Sequence, residues 1–466
     1  MTGFLAGLLA LAVLSLLPGL LVVRAPWTAV AALSLGFWAL SAWWPPLAGL
    51  GRSRVIWAAL LVFCCLFLLR LLPKHEVEPP PGWPRPSPPP EAPRPGFPPP
   101  PLASGPSLFV LGTALALFLP VPLWHHAPGP RLAFQTTTAR LLLWRDAIPA
   151  TAEPLLPLSP VGAHAPALAT LAADVSRLSG LDPAPSLVLV LVAAAGLLLA
   201  GLFALHAIWI PPPAAALAAL LGLAAWPWPE GLSVWGEGEA LLSLSFALPA
   251  AALLLGHSSR SSAVAAGMLL GAGALSQPLL TASVPLATAG VAAFGRRGAT
   301  GRHALAAGLA LVLAGPGLWP LARAVSGPEA AAVLLGIRPG PLALFGLVLA
   351  VAAFAPLACL RFADSRRALA TCAFLGALLL VVRVHSWIAS GQLSEPTRRA
   401  LERVAGATSP WEAVCAPEEV RDWVPALAGR AAGAPGPWIP AVYVDEAVAS
   451  AQRPCAVRLE AFFRAP

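Results

Sequence analysis

Charge is scarce in this chain. Only 11% of its 466 residues are charged, against about 25% in a soluble globular domain. With 58% hydrophobic residues, that shortage excludes an ordinary soluble fold. Alternation is missing as well. The apolar runs are continuous over ~17 residues or more, which excludes a transmembrane β-barrel and predicts an all-α polytopic membrane protein. Lysine is nearly absent: Lys74 is the only one, and arginine carries the net charge of +8. The basic residues are spread between hydrophobic spans, as orientation signals are, so no nucleic acid is expected as a partner. Arginine in place of lysine, with much alanine and proline, fits a GC-rich bacterial genome; for a multi-pass helical protein of such a source the inner membrane is the expected location. The six cysteines show no metal-ligand spacing. Cys64, Cys65, Cys359 and Cys372 lie in apolar spans and read as small core residues.

Apolar spans fall near 3–23, 27–48 and 55–73. The first lacks a charged n-region and a small-residue cleavage site, so it reads as a retained helix with its N-terminus outside. Arg70 and Lys74 favour a cytoplasmic end for the third span, but Arg52 and Arg54 then fall on the wrong side. Residues 79–106 are proline-rich and cannot be helical, because proline lacks the amide donor and clashes with the preceding turn. They read as a spacer, with a docking site for a proline-reading domain as the alternative. A span near 107–124 leads into a long polar loop, 125–185. Spans near 186–208, 212–227 and 239–256 follow. Residues 262–295 are too long for one span and break at Gln277-Pro278, which predicts a helical hairpin; Gly267 and Gly271 give its first arm a small-residue contact face. Spans near 303–323, 340–361 and 367–388 bring the total to about twelve by the ~20-residue criterion. With the long loop outside, Arg260, Arg296, Arg297, Arg302, Arg361, Arg366 and Arg367 all fall inside.

Within the loop, Ser159-Pro160 is a good helix start. Leu168, Leu171, Ala172, Val175 and Leu178 repeat at helical spacing, with Thr170, Asp174 and Arg177 on the other side. Gly180 and Asp182-Pro183 end that helix. Its amphipathic pattern suits the membrane surface or a cap on the bundle. Residues 132–145 are a second, less regular candidate. The tail differs in kind. Ser394 can cap a short helix, and 413–415, 441–444 and 455–459 read as short strands. About 75 residues make a small extracytoplasmic α/β domain near the lower limit for an independent core, leaning on the bundle. Cys415 and Cys455 lie in that tail in an oxidising compartment. Whether they bond is open; Cα atoms more than about 7 Å apart would exclude it. The organisation is then an N-terminal membrane segment (1–73), a linker (74–106), a transmembrane core with the outer loop (107–390) and the tail (391–466).

Several motifs resemble one family in order and spacing. Pro157-Leu158-Ser159-Pro160-Val161-Gly162-Ala163-His164 and Leu178-Ser179-Gly180-Leu181-Asp182 resemble the first large loop of GT-C-type membrane proteins, relatives of the polyprenyl-phosphate-sugar glycosyltransferases. That loop often carries Tyr-Pro-x-Gly-x-His. Trp235-Gly236-Glu237-Gly238-Glu239 resembles a Trp-Gly-Gly element, and Ala274-Leu275-Ser276-Gln277-Pro278 a hairpin that often reads Ser/Thr-His-Pro. Ser409-Pro410-Trp411-Glu412-Ala413-Val414 and Trp423-Val424-Pro425-Ala426-Leu427-Ala428-Gly429-Arg430 resemble the family's outer domain. The resemblance covers roughly 107–466. It implies a GT-C-like fold, a polyprenyl-phosphate sugar as partner, a divalent metal such as Mg or Mn, and sugar transfer at the outer face, with an acid near the start of the first loop. An acceptor hydroxyl needs a carboxylate base, and a phosphate leaving group needs positive charge. This chain departs there: no acid lies between Trp124 and Arg145, and Pro128-Gly129-Pro130-Arg131 stands where the family offers Asp.

The candidate acids are therefore Asp146, Glu153, Glu237 and Glu239. Asp146 beside Arg145 also reads as a surface ion pair, and acids at 237 and 239 also suit a helix dipole. Glu237 and Glu239 are the metal candidates. Arg131 and Arg140 would meet a lipid phosphate or ordinary headgroups. His164, Trp235 and Gln277 complete the substrate-binding candidates; His125-His126 reads as a solvated interfacial pair. Membrane lipid is the remaining expected partner. The alternative to an enzyme is a non-catalytic relative that binds lipid-linked glycan or partners in envelope assembly.

Overall fold

The computed structural model describes residues 2–21, 26–44, 49–71, 102, 104–118, 130–148, 155, 167–225, 238–257, 259–295, 299–324, five residues between 374 and 382, 393–433 and 455–463. Twelve helices are described before residue 374: α1 Thr2–Leu16, α2 Trp27–Ser41, α3 Arg52–Leu71, α4 Gly105–Phe118, α5 Pro130–Arg145, α6 Ala167–Ser179, α7 Pro183–His206, α8 Pro212–Ala225, α9 Gly238–Gly256, α10 Arg260–Ala274, α11 Pro278–Gly295 and α12 Ala299–Ala324. The predicted helix start at Ser159-Pro160, the strand at 441–444, the span at 340–361, and most of the span at 367–388 and of the linker lie outside the described residues.

Local chemistry sets the breaks. Gly180 takes φ 73° just after α6, a left-handed conformation that costs glycine nothing. Asp182 then accepts the Ala184 amide at 3.0 Å and caps α7, with Pro183 in its first turn. The break at Gln277-Pro278 separates α10 from α11, as the hairpin reading expects. Gly267 and Gly271 do form a contact face, and its partner is α12. A Cβ at Gly267 would lie 2.9 Å from the Ala306 carbonyl oxygen. Gly267→Leu is accordingly expected to lower stability by roughly 1–3 kcal/mol through overpacking. The matching Gly308→Leu, where nothing described lies within 4 Å, should leave the unfolding midpoint in detergent unchanged. Equal midpoints for the two variants would refute the close helix contact.

Four helical stretches are long and apolar enough to cross a membrane: Thr2–Leu21, Arg52–Arg70, Pro183–His206 and Gly238–Gly256. α7 and α9 form the centre and are mostly buried; the ring of Pro249 on α9 fits over Gly201 on α7. α1 and α3 are peripheral and leave Leu5, Leu9, Leu61 and Leu68 exposed. Apolar side chains exposed in number along long apolar helices face lipid. The chain is built as an integral membrane protein. Cys64 and Cys65 correct one expectation: both are exposed on the outer side of α3 and are not core residues.

The tail comprises α13 Glu395–Ala407, β1 Ala413–Cys415, α14 Glu418–Arg421, a π-helical turn Val424–Ala428, β2 Ala431–Ala432 and β3 Val457–Arg458. Ser394 caps α13 through the Thr397 amide, as its sequence suggests. Arg398 and Arg399 hold the Glu395 carboxyl down to about 2. The strands form a parallel sheet in the order β2-β1-β3, with Val414 opposite Ala432 and Val457. Cys415 and Cys455 are disulfide-bonded, with Cα atoms 5.6 Å apart. The tail's core of Leu401, Val404, Val414, Trp423, Val424 and Leu459 includes Ala133 from α5, so it does lean on the bundle.

Candidate functional site

One end of the bundle collects most of the described polar contacts. The C-terminal end of α2 and the N-terminal ends of α3, α7 and α9 meet there, beneath α5, α6 and the tail. The opposite end holds Arg70, bonded to the Leu20 carbonyl, and Arg302, bonded to the His257 carbonyl.

α6 departs from its expected setting. Ala167 to Ser176 are all buried, so the helix is enclosed by α1, α2, α5 and α7 rather than lying on the membrane surface. Its polar side meets protein instead of water. Asp174, fully buried, accepts from Arg52 Nη2 at 2.5 Å and Arg52 Nε at 3.1 Å. Arg52 also donates to Ser41 Oγ and to the Trp38 carbonyl, each at 2.8 Å. Arg177 reaches Asp174 at 3.3 Å and Asp146 at 3.0 Å. Asp146 accepts the amide of Ser53 at 2.8 Å and its hydroxyl at 2.5 Å, while its own carbonyl accepts the Arg52 amide at 2.8 Å. Gly51 permits this approach, since a Cβ there would sit 2.5 Å from Asp146 Oδ2. Two guanidinium groups thus face two carboxylates. Buried charges require such matching, and it explains how Arg52 can sit on the side that the charge rule disfavours. The conflict over Arg52 was visible in the sequence, but nothing there pointed to Asp174 as its partner.

Beside this network lies a partly open pocket of about 300 Å³, lined by Arg52, Leu142, Ile148, Thr170, Asp174 and Arg177 among others. Its interior admits about one water-sized molecule. Thr170 Oγ1 is buried without a hydrogen-bond partner among the described residues, and a single water would satisfy it.

A second assembly lies at the other end of α5. Gln135 donates to Glu239 in the first turn of α9. Ser243, one turn along α9, meets Thr281 Oγ1 at 2.8 Å and the Gln277 carbonyl at 3.4 Å. Glu239 and Gln277 therefore share one end of the bundle, and Arg131 lies one turn before Gln135 on α5. Asp146 is eleven residues beyond Gln135, about 16 Å along the helix axis. The structure does not bring Asp146 and Glu239 together. Glu153, His164, Trp235, Glu237 and the His125-His126 pair lie outside the described residues.

No family model, curated protein or solved structure matches this chain.

Arg140 forms the third assembly. It donates to Asp182 at 2.7 Å and to the Ala426 carbonyl at 3.0 Å, and its stem packs 3.2 Å from where a Cβ of Gly429 would stand. Gly429 has φ 62°, so glycine is favoured there twice over. The residue expected to meet a phosphate instead ties α5 to α7 and to the tail. Arg430 is held by Thr408 and by tail carbonyls; burial, and then the nearby charge of Arg140, lower its pKa. Gly238 is likewise structural. A Cβ there would lie within 3.0 Å of leucines on α5, α6 and α7, so this glycine admits helices, not a ligand. Among the described residues no group of three His, Cys, Asp or Glu could hold a metal. Glu239 alone falls far short of the roughly six oxygens Mg or Mn requires, and no chemistry is assigned to a metal here.

Proposed function

We propose that this chain is a GT-C-like protein with about twelve spans in a bacterial inner membrane, which binds a polyprenyl-phosphate-linked glycan at the outer face without transferring the sugar. The observation that carries this reading is the position of Asp146. Its carboxylate is occupied by Ser53 and Arg177, and it stands about 16 Å along α5 from the Gln135–Glu239 contact. A transferase needs an acid free to take the acceptor proton close to the group that receives the phosphate charge. Arg140, the other expected participant, is taken up by Asp182 and the tail. The orientation is supported by charge: Arg70, Arg260 and Arg302 lie at the end of the bundle opposite α5, α6 and the tail, which suits a cytoplasmic side.

A transferase is the second reading. It is favoured by Glu239, which sits in the first turn of α9 next to Gln135 with Glu237 two residues before it. The two separate on one experiment. Purified protein is incubated with labelled polyprenyl-phosphate sugar, and retention and turnover are both followed. Saturable retention without turnover is expected. Turnover that survives Asp146→Asn and is lost in Glu237→Ala would install the transferase instead. Absence of both retention and turnover would remove both readings.

A further inference from the structure

The bonds between Asp146 and the Arg52-Ser53 backbone do more than close an ion network. They bring the first turn of α3 onto the end of α5, and an exposed surface results. Leu50 and Trp57 are 47% and 58% exposed on one side of this junction, and Trp144 is 46% exposed on the other. Arg54, next to Ser53 in the first turn of α3, is exposed as well. Arg52 and Arg177 are matched by Asp174 and Asp146, whereas Arg54 has no ion pair among the described residues. Among the described residues the local excess charge is therefore positive.

The positions below Arg54 continue the pattern. Trp57, Leu61, Cys64 and Leu68 follow it at spacings of three, four, three and four along α3, and all are exposed. Such a stripe runs straight down one face of the helix. From Arg54 to Leu68 it spans about 21 Å, longer than the ~15 Å of one hydrocarbon leaflet. Tryptophan lies at headgroup depth in membrane proteins, and Trp57 is a single turn below the guanidinium. A cation over an aromatic, over an unbroken apolar track, has the order of parts of one phospholipid.

We propose that Arg54, Trp57 and Trp144 form a headgroup site for an anionic phospholipid of the leaflet on the α5–α6 side, with its acyl chain along the α3 stripe. The phosphodiester is the recognised group. This does not rest on the glycan-binding reading, because neither Glu239 nor the tail takes part.

The test uses the full-length protein in detergent, with phosphatidylglycerol or phosphatidylcholine added and bound lipid counted by native mass spectrometry. Wild type is expected to retain phosphatidylglycerol in preference. Arg54→Gln should reduce that preference roughly fivefold, the ~1 kcal/mol a basic residue contributes at an anionic surface. Arg54→Lys should keep most of it, and Arg260→Gln at the opposite end of the bundle should change nothing. Unchanged preference in Arg54→Gln, or an equal loss in Arg260→Gln, would overturn the site. A polyprenyl phosphate that displaces phosphatidylglycerol from wild type but not from Arg54→Gln would overturn the assignment to bulk phospholipid.

Discussion

Asp174→Ala is expected to destabilise the bundle by roughly 3–5 kcal/mol, because it leaves a buried guanidinium without its counter-charge. Asp174 is 0% and Arg52 7% exposed, so a water entering from the adjoining pocket would replace the lost charge only in part. The damage would spread through Arg52, whose other bonds hold the end of α2 at Ser41 and Trp38. Trp38 in turn donates to the Leu17 carbonyl at 2.8 Å and packs edge-on against Phe37 and Phe63. Removing both charges should hurt less than removing one. In Arg52→Met/Asp174→Leu the ion pair is replaced by apolar volume, which is often nearly neutral. A double-mutant cycle on unfolding midpoints in detergent should therefore show strong coupling, with the double variant well above either single one. Additive losses would mean that the two residues do not act as a pair.

The same pair marks the limit of what the sequence discloses. Helix boundaries were legible because their causes are local: Asp182 and Ser394 cap within three residues, and Gly180 and Pro278 act where they stand. The Gly267 face was legible as a face, from its four-residue spacing, but its partner on α12 was not. Of the two settings open to α6, the membrane surface fails and the end of the bundle stands, because amphipathicity states only that one side is polar. Water is the default partner for such a side, whereas here it meets Arg52, 122 positions away. Gln135 carried no visible signal, since its role depends on Glu239 arriving from another helix. Arg140 reads as a phosphate contact because arginine suits an anion; its actual neighbours are Asp182 and a tail carbonyl. The polar residues gathered in 125–185 located the polar end of the molecule. They did not reveal which charges there cancel one another.

The second large effect is expected in the tail. Its sheet has strands of three, two and two residues, far shorter than the five or six usual in globular proteins. Its core is small and borrows Ala133 from α5. The disulfide joins residues 40 positions apart, and closing a loop of that size contributes roughly 3–4 kcal/mol by limiting the unfolded chain. Gly433, next to β2, lies so close to Cys415 that a Cβ there would stand 2.6 Å from its sulfur, so the bond also backs the strand whose Ala432 amide bonds the Leu155 carbonyl at 3.1 Å. Cys455→Ser in the full-length protein should make the tail sensitive to limited proteolysis while α7 and α9 stay protected. Cys415→Ser and the double variant should match it, because the cost lies in the lost cross-link and not in a free thiol. Arg140→Ala should add to the effect by releasing the Ala426 carbonyl and Asp182. If the tail of Cys455→Ser resists protease as well as wild type does, α5 and the Arg140 contacts alone hold it, and the disulfide is not what stabilises this domain.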